Sequence, residues 1–272
     1  MYKLTKRGME GVYEFPITGR TEKPRASGLT MVIDMGSGLD ETRDFLDYAG
    51  RYVDMFKISS GTAALYGEAV LKRKIEMIRS HSIEVEAGGS HYEVANWKGV
   101  RKKYFQRLLD LGFDVVEIAD GHLPLTDSDR LNSIKEAKNL GLKVATEIGK
   151  KEPSKNIKAP TIVQQFNENI DTGSDYVIIE GKASGIEVGI FDEKGNINEE
   201  ELTVIVNGIH DLNKIIWEAP LRMQEQALIL RFGPNINLGN IFPQEIYPLE
   251  LMRNGLMLMP LINAYNKEQD TK

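Results

Sequence analysis

The stretch LKVATEIGKK (residues 142–151) shows the pattern that decides the fold. Its short apolar run, VATEI (144–148), is rich in β-branched residues and predicts a strand, and Gly149 predicts the loop that follows. A strand that ends here places Glu147 and Lys151 at its carboxyl end. Read alone, Lys151 is typical of a solvent-exposed loop lysine, because lysine is mostly exposed in proteins.

Seven other runs in the chain resemble this one and alternate with longer amphipathic, charged runs that predict helices. The eight predicted strands are LTMVID (29–34), VDMFKI (53–58), IEVEAG (83–88), DVVEIA (114–119), KVATEI (143–148), DYVIIE (175–180), KIIWEA (214–219) and INLGNI (236–241). Several helical runs end in glycine, as at Gly112, Gly141 and Gly173, where a left-handed residue closes a helix. Eight such units fit a (β/α)8 TIM barrel of about 250 residues. An open doubly wound sheet is the alternative.

The predicted barrel is a single α/β domain over residues 28–266. Residues 1–27 contain Lys, Arg, Gly and Pro without a lasting period and predict an extended N-terminal arm. The polar end of the chain, residues 267–272, predicts a frayed tail.

Composition restricts the kinds of site that the chain can form. The 272 residues include no cysteine, which excludes disulfides, thiolate nucleophiles and cysteine-based metal sites. Any metal must therefore bind oxygen or one of four histidines, and oxygen ligands favour Mg²⁺. A net charge of −6 argues against a nucleic-acid-binding protein. The sequence has no membrane-length apolar run and no signal peptide, so we expect a cytoplasmic protein.

Strand after strand ends with a polar or charged residue, and in a barrel these positions converge on one mouth. The residues are Asp34, Lys57, Gly89, Ser90, Glu117, Asp120, Glu147, Glu180, Glu218, Asn237 and Asn240. Each carboxylate could instead cap the helix after its strand. Carboxylates gathered at one mouth repel one another by about 4 kcal/mol per pair at 4 Å and an effective dielectric constant of 20, so cations are required. The candidates are a divalent metal and the basic residues Lys57, Lys150, Lys151, Lys182 and Arg222, whose alternative role is a solvent-facing ring.

The series VIDMG, GGSHYE, VEIADG, TEIGKK, DYVIIEGKASG, IIWEAP and LGNI resembles the phosphosulfolactate synthase family, in the same order and over residues 29–255. The resemblance implies a (β/α)8 barrel enzyme, a lyase that uses Mg²⁺ to add sulfite to phosphoenolpyruvate and gives (2R)-phospho-3-sulfolactate. It also implies that Lys151 is the proton donor.

We therefore expect Lys151 and Glu147 to be catalytic residues. The expected partners are the small molecules phosphoenolpyruvate and sulfite, and we expect no binding to nucleic acid or to a membrane. A homo-oligomer is left open. The expected metal ligands are Asp34, Glu117, Glu180 and Glu218. The expected substrate-binding residues are Lys57, Gly89, Ser90, Lys182, Ser184, Gly185, Arg222 and Asn240.

Departures from the family's pattern cluster at the expected mouth and keep two other functions open. They are Met35, Ile58–Thr62 (ISSGT), His91, His122, Lys182 and Ala183. One alternative is a diverged paralogue that adds another nucleophile to phosphoenolpyruvate or to a related enol. The other is a non-catalytic, stress-associated barrel that binds an anion or a protein partner, against which the retention of Glu147 and Lys151 speaks.

Overall fold

The structure is a computed structural model that describes residues 8–59, 61–152, 156–182 and 184–270. Eight parallel strands form a closed barrel in the order β1 to β8, which confirms the predicted TIM barrel. The strands are β1 (Thr30–Asp34), β2 (Met55–Ile58), β3 (Glu84–Ala87), β4 (Val115–Ile118), β5 (Lys143–Ile148), β6 (Tyr176–Ile179), β7 (Ile215–Glu218) and β8 (Leu238–Ile241). Each lies within a predicted run, so the apolar runs were correctly interpreted.

Helices follow the strands and surround the barrel. They are α1 (Leu39–Ala49), α2 (Glu68–Arg79), α3 (Ser90–Trp97), α4 (Arg101–Leu111), α5 (Asp127–Asn139), α6 (Ala159–Thr172), α7 (Glu199–Gly208), α8 (Arg222–Phe232), α9 (Ile246–Arg253) and α10 (Leu258–Asp270). Helix α9 contains Pro248 in its first turn. A proline is tolerated there, because the first N–H groups of a helix have no acceptor within the helix. Among the described residues, no helix is long and apolar enough to cross a membrane.

The barrel interior consists of an apolar layer at the amino-terminal ends of the strands and a polar layer above it. The apolar layer is formed by Met31, Met55, Val115, Ala145, Ile178 and Ile216. A second, larger core lies between the strands and the helices and includes Phe45, Phe56, Phe105, Phe166 and Trp217. Both faces of the strands are therefore buried, as is usual for parallel sheets.

The described part of the N-terminal arm packs across the amino-terminal end of the barrel. Arg20 pairs with Glu250 at 2.7 Å, and Arg25 pairs with Asp54 at 2.8 Å. Residues 8–27 contain turns and bends but no helix or strand; residues 1–7 lie outside the described part. At the other end of the chain, residues 267–270 continue α10, so they are helical rather than frayed, and residues 271 and 272 again lie outside the described part.

Candidate active site

Five glutamates project into the barrel at the carboxyl-terminal side of the apolar layer. This acid layer consists of Glu86, Glu117, Glu147, Glu180 and Glu218, and each side chain is almost completely buried. They come from five consecutive strands, β3 to β7, or from the residue directly after the strand. Burying carboxylates is costly unless they are paired or bound to a cation. The layer must therefore contain its own positive charge.

Lys57 supplies part of that charge from β2. Its Nζ lies 2.5 Å from Glu117 Oε2, 3.2 Å from Glu218 Oε1, 3.8 Å from Glu147 Oε2 and 4.0 Å from Glu86 Oε1. Burial alone would lower the pKa of Lys57, but these carboxylates outweigh it and raise the pKa well above the usual value. We expected Lys57 to bind substrate. Because its ammonium is enclosed by four carboxylates, the structure instead makes it the counter-ion of the acid layer.

Lys151 supplies the second positive charge, from the loop after β5. Its ammonium forms an ion pair with Glu180 and lies 3.5 Å from Glu147 Oε1. Burial lowers the pKa of Lys151, but the carboxylates of Glu147 and Glu180 outweigh that effect and raise the pKa above its usual value. One third of the side chain stays exposed, in contrast to Lys57, so its ammonium can contact a ligand in the mouth. The predicted meeting of Lys151 with Glu147 and Glu180 is therefore present.

Three members of the acid layer could hold a metal ion. One carboxylate oxygen each of Glu147, Glu180 and Glu218 lies within 4.8 Å of the others. Glu147 Oε1 is buried and receives no hydrogen bond from the described residues. Burial and the neighbouring carboxylate of Glu147 raise the pKa of Glu180 well above its usual value, so a cation is needed to keep both ionised. An all-oxygen set of carboxylates suits Mg²⁺.

Two glycine N–H groups orient the acid layer. Gly89 donates to Glu117 Oε1 at 2.9 Å, and Gly181 donates to Glu218 Oε2 at 3.0 Å. A Cβ atom on Gly89 would lie 2.5 Å from Glu117 Oε1, and one on Gly181 would lie 2.4 Å from the backbone oxygen of Glu218. Only glycine permits these approaches. Gly89, expected to contact substrate, therefore uses its N–H to hold Glu117.

Two predicted site residues lie elsewhere. Asp34 was expected to bind metal, but its carboxylate pairs with the buried Lys74 at 2.6 Å and accepts the N–H of Ser37 at 2.9 Å. In β1 the neighbouring Ile33 is in register with the inward-facing Lys57, so Asp34 faces the helices.

Arg222 was expected to bind substrate, but its guanidinium forms two hydrogen bonds with Glu245, at 2.6 and 3.0 Å. Glu117 is in the acid layer, but outside the three-carboxylate set.

The other predicted substrate-binding residues lie at or after the carboxyl ends of β3, β6 and β8, and their contacts with substrate stay predictions. Ser90 is the first residue of α3, and Ser184 is exposed. The N–H of Lys182 donates to Glu180 Oε1 at 2.6 Å, and the carbonyl of Gly185 accepts from Gln224 at 2.6 Å. Asn240 is buried, and its Oδ1 lacks a hydrogen-bond partner among the described residues, so it is the strongest of these candidates.

Glu86 is a site residue that sequence reasoning missed. Both of its carboxylate oxygens are buried, and the described residues donate no hydrogen bond to them. Burial is the main cause that raises its pKa. A signal was present in IEVEAG (83–88), where Glu84 and Glu86 alternate with Val85 and Ala87 and therefore point to the same face of the strand. In the barrel this face is the inner one, because Glu86 is in register with the inward-facing Lys57.

Sequence comparison identifies the family. Residues 18–258 match the family model of (2R)-phospho-3-sulfolactate synthase (ComA). The chain belongs to the phosphosulfolactate synthase family.

Individual family members align over most of the chain. It is 41% identical over 232 residues to phosphosulfolactate synthase of Methanocaldococcus jannaschii, which covers 84% of this chain and 92% of that protein. It is 36% identical over 246 residues to that of Methanothermobacter thermautotrophicus, with 90% and 95% covered. Protein HEAT-STRESS-ASSOCIATED 32 of Arabidopsis thaliana is more distant, at 24% identity over 260 residues, with 86% and 88% covered. The predicted family is thus confirmed, and its members named as synthases indicate an enzyme.

Solved structures support the fold. The 3-hexulose-6-phosphate synthase of Salmonella typhimurium matches with a TM-score of 0.54 at 14% identity, covering 83% of this chain and 99% of that one. At this identity the likeness concerns the barrel alone.

Proposed function

We propose that the protein is a carbon–sulfur bond-forming lyase that adds sulfite to phosphoenolpyruvate, with Mg²⁺, and gives (2R)-phospho-3-sulfolactate. The observation that supports this most is the position of the Lys151 ammonium, which contacts Glu147 and Glu180 beside a set of three carboxylates suited to a divalent cation. A proton donor and a metal site are the two elements that the reaction needs.

The reaction forms one bond at each carbon of the double bond. The sulfur lone pair of sulfite attacks the methylene carbon, and the π electrons move toward the adjacent carbon and its carboxylate. That carbon then takes a proton, which we assign to the Lys151 ammonium. A Mg²⁺ ion held by Glu147, Glu180 and Glu218 would stabilise the negative charge that develops on the substrate carboxylate. The phosphate ester stays intact.

The charge balance of the acid layer explains why a cation is required. If all five glutamates are ionised, the ammoniums of Lys57 and Lys151 leave a net charge of three negative units, five minus two. Each additional anionic group 4 Å from a carboxylate adds repulsion of about 4 kcal/mol at an effective dielectric constant of 20. A divalent cation removes two of the three negative units, and the side chain of Lys182 at the mouth is a candidate to attract the substrate anions.

The direct test follows the phosphorus atom. Purified protein, phosphoenolpyruvate, sulfite and Mg²⁺ are incubated and monitored by ³¹P NMR, and we expect the phosphoenolpyruvate signal to be replaced by that of a phosphate ester without release of inorganic phosphate. Reactions without sulfite, or with EDTA, should leave the substrate unchanged. If phosphoenolpyruvate persists in the complete mixture, the assignment is wrong.

Within the residues that the structure describes, no observation favours the two alternatives over this function. His122, one of the residues that suggested another nucleophile, is bound to Glu93 at 2.8 Å. Ser60 and Ala183 lie outside the described residues. A non-catalytic barrel would have no need for an acid layer that encloses one lysine and contacts a second. Replacing sulfite with other small nucleophiles in the NMR assay tests the first alternative.

A further inference from the structure

We propose that Glu93 is a positioning residue, which sets the place of Lys151 through the loop of residues 119–123. This loop follows β4 and is called the β4 loop below. The proposal rests on the proposed function for the role of Lys151, but it can be tested separately from it.

Glu93 fixes the β4 loop from α3. The side chain is almost fully buried. Its Oε1 accepts the backbone N–H groups of His122, at 2.7 Å, and Leu123, at 2.9 Å, and its Oε2 contacts His122 Nδ1 at 2.8 Å. Because a carboxylate accepts hydrogen bonds, Nδ1 carries the proton. Three donors on one buried carboxylate, each charge-assisted, hold two consecutive residues of the loop in place.

The β4 loop in turn holds the segment that carries Lys151. The carbonyl of Gly121 accepts the N–H of Lys151 at 3.0 Å. Lys150 Nζ donates to the carbonyl of Asp120 at 2.8 Å and also pairs with the Asp120 carboxylate. Asp120 and Gly121 of the β4 loop are thus bonded to Lys150 and Lys151 of the loop after β5. Gly121 directly precedes His122, whose backbone N–H and side chain bind Glu93.

The side chain of Lys151 also lies directly against the β4 loop. A Cβ atom on Gly121 would lie 3.1 Å from both Cγ and Cε of Lys151 and 3.3 Å from Glu147 Oε1. A shift of the loop at residue 121 therefore displaces the lysine stem. Since a misplacement of about 1 Å can cost about 100-fold in rate, a residue that holds the loop affects the proton transfer without touching the substrate.

Variants at His122 test the proposal with little risk to folding, because its side chain is half exposed. His122→Ala removes the donor to Glu93 Oε2, and we expect kcat to fall about 10- to 100-fold while KM changes less than about threefold. His122→Asn keeps a donor near the place of Nδ1 and should restore most of the loss. Glu93→Gln, which replaces the acceptor for Nδ1 with an amide donor, should behave like His122→Ala.

The matched control is Glu136→Gln, which breaks another carboxylate pair between neighbouring helices. Glu136 binds Arg101 at 2.7 Å and has no contact with the β4 loop among those described. We expect its kcat to equal that of the wild type.

Amide hydrogen exchange gives a readout that does not depend on turnover. The N–H of Lys151 should exchange at least about tenfold faster in His122→Ala and Glu93→Gln than in wild type or Glu136→Gln, because its acceptor on Gly121 becomes mobile. If His122→Ala and Glu93→Gln lower the thermal stability but leave kcat and the exchange rate at Lys151 unchanged, Glu93 only stabilises the fold, and the proposal is overturned. If the wild type itself has no activity, the proposed function fails, and the exchange rates still decide whether Glu93 controls the lysine.

Discussion

Replacing Lys57 by methionine should destabilise the protein severely and in a pH-dependent way. Lys57 is enclosed by the carboxylates of Glu86, Glu117, Glu147 and Glu218, all within 4.0 Å of its Nζ. Methionine keeps the length and the apolar stem of the side chain and removes the charge. The substitution therefore tests the counter-ion role and creates no large cavity.

The size of the effect follows from the burial of the group. Removing one partner of a buried ion pair leaves an uncompensated buried charge and costs about 3–5 kcal/mol. For a chain of this length, each kcal/mol lowers Tm by about 2–4 °C, so we expect a loss of about 6–20 °C at neutral pH.

The pH dependence has a defined sign. Burial and neighbouring carboxylates raise the pKa of Glu117 well above its usual value, and burial is the main cause that raises the pKa of Glu86. A carboxyl whose pKa is higher in the folded state binds more protons there than in the unfolded state, so its contribution to stability falls as pH rises from the unfolded pKa toward the folded one. Loss of the Lys57 charge strengthens this trend, and the difference between variant and wild type should be larger at pH 8 than at pH 5.

Thermal unfolding monitored by circular dichroism at pH 5 and pH 8 measures both effects. Lys74→Met is the control, because Lys74 is equally buried but pairs with a single carboxylate, that of Asp34. Its Tm deficit should depend less on pH. A Lys57→Met deficit below about 3 °C, or one that is the same at both pH values, would refute the view of Lys57 as the counter-ion of the acid layer.

Three further predictions concern other parts of the site and its surroundings. Lys151→Ala should abolish turnover while substrate binding, measured calorimetrically in the presence of Mg²⁺, changes little; an active variant would exclude the proton-donor role. Gly121→Ala places a methyl group 3.1 Å from the stem of Lys151 and should lower kcat about tenfold or more with little change in Tm; unchanged kcat would show that the lysine adapts freely. Burial raises the pKa of Glu225 to about 8, so stability falls as pH rises from 4.5 toward 8, and Glu225→Gln should raise Tm at pH 8 but not at pH 4.5; equal gains at both pH values would contradict this.

Sequence reasoning predicted the barrel because the strands leave a local signal. The run KVATEI (143–148) matches β5 residue for residue, since an apolar, β-branched stretch between a helix and a glycine loop has few other conformations. Four strand-end glutamates were correctly expected to meet, because the closed topology brings all carboxyl ends together; they are Glu117, Glu147, Glu180 and Glu218. Asp34 and Arg222 are the exceptions.

The direction in which each side chain points could not be predicted in the same way. Both faces of these strands are buried, so the alternation of polar and apolar residues that marks a solvent face is missing. Asp34 faces a lysine on α2, whereas Lys57 faces the barrel interior, and only the register between β1 and β2 separates the two cases. Glu86 was missed because β3 (EVEA) does alternate, and such alternation is typical of a strand with one face in solvent, whereas here the glutamate face lines the barrel interior. Glu93 bonds to His122 and Leu123 of the β4 loop, which follow it in the chain by 29 and 30 positions. No local sequence pattern indicates contacts over such a separation.

A crystal of the protein soaked with Mn²⁺, which substitutes for Mg²⁺ and gives anomalous scattering, tests the central arrangement most directly. We predict a single strong peak with oxygens of Glu147, Glu180 and Glu218 at about 2.0–2.3 Å and the Lys151 ammonium beside it. A peak at other residues, or a Lys151 side chain that points away from these carboxylates, would contradict the proposed site.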